Sequence, residues 1–555
     1  MGLAHRERAA SARSLQGAMD HNFPWFPGIH ARFGLSVSVS NRSEPAMDSP
    51  ADVVKARPGA VRPMPLRVEA LFRVALRCFL AALAMPLALA ACVSAPPQPQ
   101  AAAPLTSAQV GLGAASFAAP AENWWEAYGD AQLNQLVQQA LAHNPSLAQA
   151  LARVSTAQAL AAGAQAASLP SISFDAQETR ERMSGTDIIP PPYAGTVQWE
   201  GHQGLQLSWD LDFWGRQSAL LQQARSQAAA AQLDVAGARL ALSGAVAHAY
   251  LELDRNHALA ELAQKTEEQR TRILEIVRQR VGAGLDTNVE LREAEGAVPQ
   301  AQLDRLQAQA EVDLAVHQLA ALAGRGADAY AQIQRPTVNL ETALPLPAAL
   351  PADLLGRRPD LLAARDRIEA ATEGQAAAKA AFYPDVNLAA FVGTAAIGFS
   401  RLFESPSQTY GVSPAIHLPL FEAGRLKAQY RGASAEIDAA VAAYNGAVLQ
   451  AVRQVSDQLS LIASLGEQLA RQQQVLSAAE DAYRLAGERY QAGLSTYLTV
   501  LNAETQVINA RRQRVDLVAQ QAAARVGLLL ALGGSFPPEP AGAKQTEPIS
   551  SGVSP

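Results

Sequence analysis

Charged residues, aromatic residues and cysteines are all scarce in this chain. Of its 555 residues, 17% are charged, 6% are aromatic and 2 are cysteines, a composition that is unusual for a multidomain enzyme. The 45 basic residues are outnumbered by 51 acidic ones, so the basic excess typical of nucleic-acid-binding proteins is missing. Long tracts of Ala, Gln, Leu and Val are present instead, and such tracts favour helices that pack closely.

Motifs for catalysis and for metal binding are missing as well. There is no P-loop, no nucleophile elbow and no GxGxxG stretch between a strand and a helix. The 9 histidines show no metal-ligand spacing, and His248 and His257 fall on opposite faces of a helical segment. The sequence therefore predicts no catalytic residue, no cofactor and no metal site.

The two cysteines, Cys78 and Cys92, lie at the two ends of one apolar run. Three arginines precede this run and small residues end it, which is the pattern of a secretory signal peptide. The run is too short for a membrane-spanning helix, which needs about 20 apolar residues. We interpret residues 64–91 as the signal peptide, and residues 1–63 as an over-extended start or a disordered pre-sequence.

The tetrapeptide L-A-A-C that ends at Cys92 resembles the lipobox of bacterial lipoproteins. This resemblance implies that Cys92 is acylated and becomes the first residue of the mature chain, anchored in lipid by its acyl chains. Removal of residues 1–91 takes away 11 of the 45 basic and 6 of the 51 acidic residues, which leaves a net charge of −11. Because Val93 rather than Asp follows the cysteine, the same resemblance points to the outer membrane.

The predicted mature chain contains an internal repeat. Pro145 and Pro359 begin similar segments at an offset of 214 residues, and Gly215 and Gly424 match at an offset of 209. The second offset holds as far as Glu295, which makes a chance match improbable. Each half therefore has one architecture, which we interpret as helix, strand, strand, long helix and helix.

Alternation of apolar and polar residues predicts the strands at 205–213 and 410–420, with shorter partners at 172–176 and 386–392. Strands of nine to eleven residues suit a membrane-spanning sheet, although a half-buried soluble sheet has the same pattern. Four strands cannot close a barrel, and an open sheet edge is not tolerated in lipid. Several subunits must then contribute strands jointly, two giving eight strands and three giving twelve.

Two proline-free segments, Arg216–Val281 and Arg425–Gln491, predict helices of about 100 Å. Helices of this length must pack side by side along their length. Each segment ends at a Gly-Leu turn, beyond which a second helix returns. Pro299 is expected to interrupt and kink the first return helix.

These features together resemble the TolC-like outer-membrane efflux family, in its lipoprotein branch serving resistance–nodulation–division pumps. The matching stretches run from Trp124 to Gly533 and include NWWEAYGDAQLNQLVQQAL, LSWDLDFWGR, RRPDLLAARDRIEAA, AAFYPDVNL, LPLFEAGRL and two GLxTxxxxxxAE turns. The resemblance implies a mainly α fold with a small transmembrane β part. It also implies a homotrimer with a twelve-stranded β-barrel and a twelve-helix periplasmic α-barrel that opens by untwisting at its tip. The expected partners are a periplasmic adaptor protein and an inner-membrane pump.

By the same resemblance, the two helix turns form the periplasmic tip of the duct. The residues predicted for the gate are Asp286, Glu290, Glu293, Tyr497, Thr499 and Asn502. Threefold symmetry converts an acidic residue into a ring, and carboxylate rings favour cations. The second turn carries no acidic residue at Thr499 or Asn502, where many family members have one. The residues predicted to contact the adaptor are Arg280, Gly284, Leu285, Arg489, Gly493 and Leu494; for each of these sets, ordinary packing or solvation of a helix end is the alternative.

The predicted function is a passive exit duct for drugs or other small toxic compounds in the outer membrane. Alternatives within the fold are type I secretion and metal-ion efflux, and a structural coiled-coil lipoprotein is the alternative of another class. A spacer of that kind needs no alternating strands, so the strands argue against it. Beyond the signal peptide, the predicted segments are an anchored linker at 92–122, repeats at 123–325 and 351–534, a linker at 326–350 and a disordered tail at 535–555.

Overall fold

A computed structural model describes residues 103–112, 123–186, 188–338 and 354–534. The predictions for the start of the chain, for the signal peptide, for Cys92 and for the C-terminal tail fall outside the described residues. Among the residues described, no helix combines the length and the apolar character needed to cross a membrane.

The two halves of the chain fold into the same succession of elements. The first contains α1 Ala131–His143, α2 Pro145–Ala167, β1 Ser171–Arg182, β2 Val197–Leu211, α3 Arg216–Gly282 and α4 Asn288–Leu322. The second contains α5 Leu354–Arg357, α6 Pro359–Ala380, β3 Asp385–Ile397, β4 Gln408–His417, α7 Arg425–Gln491 and α8 Tyr497–Ala531. The long helices α3 and α7 have 67 residues each, and the return helices α4 and α8 have 35 each. The predicted order of helix, strand, strand, long helix and helix is confirmed.

Several details of the predicted elements are wrong. Strands β1 and β3, predicted as short partners at 172–176 and 386–392, extend to Arg182 and Ile397. Strand β2 begins at Val197, well before the predicted start, because β1 and β3 pair with it along this extra length. Strand β4 ends at His417, ahead of Pro419, which has no amide to donate to a neighbouring strand. Helix α4 continues through Pro299, so the predicted interruption is wrong, and Ala294 and Ala301 on either side of the proline are buried.

The four strands form one antiparallel sheet in the order β1-β2-β3-β4, so pairing of β2 with β3 joins the two halves. Gly204 and Gly393 lie opposite each other in this pair. A Cβ atom on Gly393 would come within 2.1 Å of the Gln203 carbonyl oxygen, which explains the need for glycine there. Strands β1 and β4 are the edges of the sheet within one chain.

Helix α3 is the centre of the helical part. It packs against α2 and α6 near the sheet, and against α4 and α8 further away. Its equivalent α7 packs along its length against α6 and α8. It meets the first hairpin near the tip, where Tyr483 and Tyr490 contact Gln269 and Asp286. The largest apolar core lies around α1 and the middle of α3, where Trp124 and Trp125 are buried.

Candidate functional site

The turns at the far ends of the two hairpins, α3–α4 and α7–α8, have the same backbone geometry. Gly284 and Gly493 adopt left-handed conformations with φ of 75° and 74°. The amide after each glycine donates to the carbonyl five residues earlier, at 2.9 Å from Leu285 and 2.8 Å from Leu494. This is the Schellman motif, which ends a helix at a glycine and requires a positive φ. It leaves Leu285 and Leu494 65% and 70% exposed, so each turn presents one leucine to its surroundings.

The first turn places an acidic side chain against its own helix start. The Glu290 carboxylate accepts a hydrogen bond from the Thr287 amide at 3.0 Å and another from the Thr287 hydroxyl. The Thr287 hydroxyl in turn accepts from the Val289 amide at 3.1 Å, which completes a capping box. The bond from the Thr287 hydroxyl lowers the pKa of Glu290. Glu290 therefore holds the start of α4.

Asp286 links the two hairpins of the chain. Its carboxylate accepts hydrogen bonds from Arg280, at 2.8 Å from Nε and 3.2 Å from Nη2, and from the Tyr490 hydroxyl on α7. The Arg280 guanidinium also lies 4.5 Å from the centre of the Tyr490 ring, a cation–π contact. The hydrogen bonds from Arg280 lower the pKa of Asp286, so the carboxylate is charged and neutralised by its partner at neutral pH.

Most acidic residues predicted to cluster in the first turn therefore bind partners within their own chain. The side chains of Asp286 and Arg280 are only 10% and 14% exposed, and Glu290 caps a helix. Glu293 is half-buried next to Tyr497, whose pKa rises to about 12 because of burial first and of the Glu504 charge second.

The second turn differs in chemistry although its backbone is the same. The position equivalent to Asp286 is Ser495, and Arg489 is exposed and forms no ion pair in the described part of the chain. Thr499 and Asn502 are exposed, as a role at a gate requires. Tyr497 is only 1% exposed and packs against Tyr490, so the structure separates it from these two side chains.

A buried polar node further along the hairpins was not predicted from the sequence. Glu504 on α8 is 2% exposed, and its carboxylate accepts from Gln269 Nε2 at 2.8 Å and lies 3.4 Å from Arg270 Nε. Gln269 also donates to the Tyr483 hydroxyl on α7, and Arg270 donates to the Ala297 carbonyl on α4 at 3.3 Å. Two adjacent residues of α3 therefore contact the three other helices.

Burial raises the pKa of Glu504, and the Arg270 charge opposes this effect only in part. A signal for the burial does exist in the sequence. Glu504 lies four residues after Val500 and three before Val507, the spacing of one apolar helix face. Among the described residues, no group of three or more His, Cys, Asp and Glu side chains is arranged to hold a metal ion.

Comparison with known proteins identifies the family of this chain. The profile of the family described as outer membrane efflux protein matches residues 136–325 and 350–534, one segment for each repeat. The chain belongs to the outer membrane efflux protein family. The resemblance to this family that we drew from the sequence is confirmed, and so is the prediction of an outer-membrane efflux channel.

Relatives of this outer membrane efflux protein include the fusaric acid resistance protein FusA of Burkholderia cepacia, 37% identical over 64% of the chain and 69% of FusA. The pyoverdine export outer membrane protein OpmQ of Pseudomonas putida is 31% identical over 82% of the chain and 97% of OpmQ. Among solved structures, the outer membrane protein VceC of Vibrio cholerae superposes with a TM-score of 0.71 at 37% identity, over 75% of the chain and all of VceC.

Proposed function

We propose that this efflux protein is the passive outer-membrane exit duct of a tripartite pump that expels drugs or other small toxic compounds. The names of its relatives support an export role, because they describe fusaric acid resistance, pyoverdine export and multidrug resistance. The duct needs no catalytic residue of its own, since an inner-membrane proton-driven pump supplies the energy. A periplasmic adaptor protein connects that pump to the duct, and acylated Cys92 anchors the chain in the outer membrane.

The observation that carries this proposal is that one chain exposes two apolar surfaces that can cover each other in neighbouring copies. One surface lies on α7 and the other on α2 and α4. Helix α3 has neighbours on both flanks, but in the described part of the chain α7 makes no extensive contact with α2 or α4. Large apolar side chains are exposed on these same three helices: Leu151 and Leu160 on α2, Leu303, Leu306 and Leu314 on α4, and Leu449, Leu461, Val475 and Leu485 on α7. A second copy whose α2 and α4 pack on α7 covers both sets of side chains.

Contacts of this head-to-tail kind close into a ring when the rotation between copies permits. The strand order supports the same arrangement, because β1 and β4 are the free edges of the sheet and a closed ring pairs them. Three copies, the number implied by the family, give twelve strands and a wall of twelve helices around one passage.

The tips of the hairpins form the periplasmic gate and the adaptor surface in this proposal. Exposed Leu285 and Leu494 supply an apolar contact for the adaptor, and exposed Arg489 supplies a cation for an acidic side chain of the adaptor. Thr499 and Asn502, with Glu293, line the gate. Asp286 and Glu290 set the shape of the first hairpin rather than forming open acidic rings.

Accumulation of a fluorescent amphipathic dye in cells tests the function. A strain lacking the protein is expected to retain several times more dye than the parent, and the wild-type protein should restore efflux. Leu494→Asp, which puts a charge on the adaptor surface, should fail to restore efflux although the protein still assembles. Leu449→Asp puts a charge on the side of α7 that a second copy covers, so it should fail because the copies no longer assemble. Unchanged dye retention combined with new sensitivity to copper or silver salts would reassign the duct to metal-ion efflux, and loss of a secreted protein would reassign it to type I secretion.

A further inference from the structure

The two faces of the four-stranded sheet differ in chemistry. Directly opposed residues of neighbouring strands share a face, so the observed register assigns every strand residue to one side. One side carries large apolar side chains at its centre, namely Ile172, Phe174, Leu205, Leu207, Val392 and Val412. Such a side faces lipid in a membrane-spanning barrel, while the other side faces the interior. We name this other side the lumen face, because it lines the passage in the ring proposed above, on which this inference rests.

The lumen face is polar along all four strands. Its acidic side chains are Asp175, Glu181, Glu200, Asp210 and Asp385, and Ser, Thr, Gln and Asn side chains lie between them. No Lys or Arg lies on this face of the four strands. A cationic molecule in the passage therefore meets no basic side chain on this wall.

Phe391 is an exception on this polar face. It lies at the middle of β3, opposite Gln206 of β2 and Gly411 of β4. Within the four strands it is the only Phe, Tyr or Trp on the lumen face, and it is 44% exposed. An exposed phenylalanine among polar side chains buries little apolar area, so packing alone does not account for it.

The ring of Phe391 lies over one glycine and next to two more. A Cβ atom on Gly411 would come within 2.7 Å of the ring at Cε1 and 2.9 Å at Cζ, so one side of the ring covers the Gly411 backbone. The next residue pair along the lumen face is Gly204 with Gly393, which adds no side chain. The ring and these glycines therefore form a flat apolar surface within an otherwise polar wall.

We propose that Phe391 is a contact for aromatic cargo inside the barrel, on which compounds with a flat aromatic ring stack as they cross the outer membrane. Aromatic rings prefer offset or edge-to-face arrangements, and the glycines beside Phe391 leave room for an offset ring. Three copies bring three such phenylalanines to the same height, halfway along the strands. The rest of the wall is polar, so this contact distinguishes aromatic cargo from saturated cargo of the same charge.

Blockade of single channels measures this contact on the full-length protein, purified and reconstituted in planar bilayers. The probe is naphthylmethylammonium, an aromatic cation that is added on the side of the extracellular mouth. Its saturated analogue, decahydronaphthylmethylammonium, has the same charge and a similar size. Phe391→Leu keeps an apolar side chain over Gly411 but removes the aromatic ring. The matched control is Phe174→Leu, which removes a phenylalanine from the lipid side of β1.

Phe391→Leu is expected to shorten each blockade by the aromatic probe about two- to tenfold, the range that corresponds to loss of one aromatic pair. Phe391→Trp, which offers a larger ring, should lengthen the same blockade. Neither variant should change blockade by the saturated analogue by as much as the aromatic one. Phe174→Leu should leave blockade by both probes unchanged, because its side chain lies outside the passage.

Two results would overturn the inference. Equal shortening for both probes would show that the bulk of Phe391 narrows the passage and that stacking plays no part. Unchanged blockade in Phe391→Leu would show that the ring only covers Gly411. Failure of the proposed duct has a different signature: a wild-type protein that forms no conducting channel would contradict the duct itself, whereas normal conductance with unaltered blockade contradicts the aromatic contact alone.

Discussion

At the scale of single residues, Glu504 has the most unusual surroundings near the tip. It is buried, and charged or titratable groups from three helices interact with it. These groups are Arg270 on α3, Tyr483 on α7 and Tyr497 on α8. Burial outweighs the Arg270 charge and raises the pKa of Glu504, so the folded protein binds a proton there more readily than the unfolded chain does.

Linkage fixes the sign of the resulting pH dependence. A carboxyl whose pKa is raised in the folded state contributes stability below its ordinary pKa, and that contribution is lost as the pH rises through the raised value. Glu504→Gln removes this titration while preserving the shape of the side chain. The helical part of the variant should melt a few degrees higher than wild type at about pH 8, and the difference should shrink towards about pH 5.

Thermal unfolding of the detergent-solubilised protein, followed by circular dichroism of the helices, measures this difference. Glu295→Gln is the matched control, because Glu295 is the repeat counterpart but pairs with Arg292 at the surface. If the melting temperatures of Glu504→Gln and wild type differ by the same amount at both pH values, Glu504 does not titrate as its burial indicates.

At the scale of elements, the hairpins show how far the sequence determines the fold. The absence of proline over two long segments, together with the Gly-Leu turns, predicts both long helices to within one residue of their observed ends. The contacts of Asp286 could not be predicted in this way. Its partner Tyr490 is 204 residues away in the chain, and only the packing of one hairpin on the other brings the two together.

The continuity of α4 through Pro299 could not be predicted from the local sequence either. Local rules predict that proline breaks a helix, but Ala294, just before it, is buried in one apolar cluster with Tyr490 and Tyr497 of the second hairpin. The role of Glu290 was also missed, although Thr287 followed three residues later by a glutamate is the sequence signature of a capping box. Tertiary contacts therefore decide which acidic residues of the tip remain available.

The link between the hairpins gives a prediction at this scale. Tyr490→Phe keeps the ring but removes the hydroxyl that donates to Asp286. A hydrogen bond to a charged group is worth about 1.5–3 kcal/mol, so amides near residues 277–298 and 486–500 should exchange with deuterium at least about tenfold faster. Tyr497→Phe is the control, because this neighbouring tyrosine is buried in the same apolar cluster but does not contact Asp286. Equal acceleration in both variants would show that packing, not the hydroxyl, joins the hairpins.

At the scale of the whole molecule, the internal repeat determines how one copy must meet the next. The pairing of β2 with β3 joins unlike repeats within a chain, and the pairing of β4 with β1 of the next copy joins unlike repeats between chains. If both junctions have the same geometry, the known register transfers with the offsets of 209 and 214 residues. Leu207 lies opposite Ala390 within the chain, which places Ile416 opposite Ala176 of the neighbouring copy.

This register is measurable, because directly opposed residues of antiparallel strands are close enough for a disulfide, which needs Cα atoms within about 7 Å. Ile416→Cys with Ala176→Cys should therefore form disulfide-linked chains on mild oxidation. Ile416→Cys with Phe174→Cys is displaced by one pair along the same face and should cross-link far less. A one-residue slip would turn every side chain to the other face of the sheet, so preferential linkage of the displaced pair would mean that the sheet closes round the ring in another register. The junction between copies would then not repeat the junction within a chain.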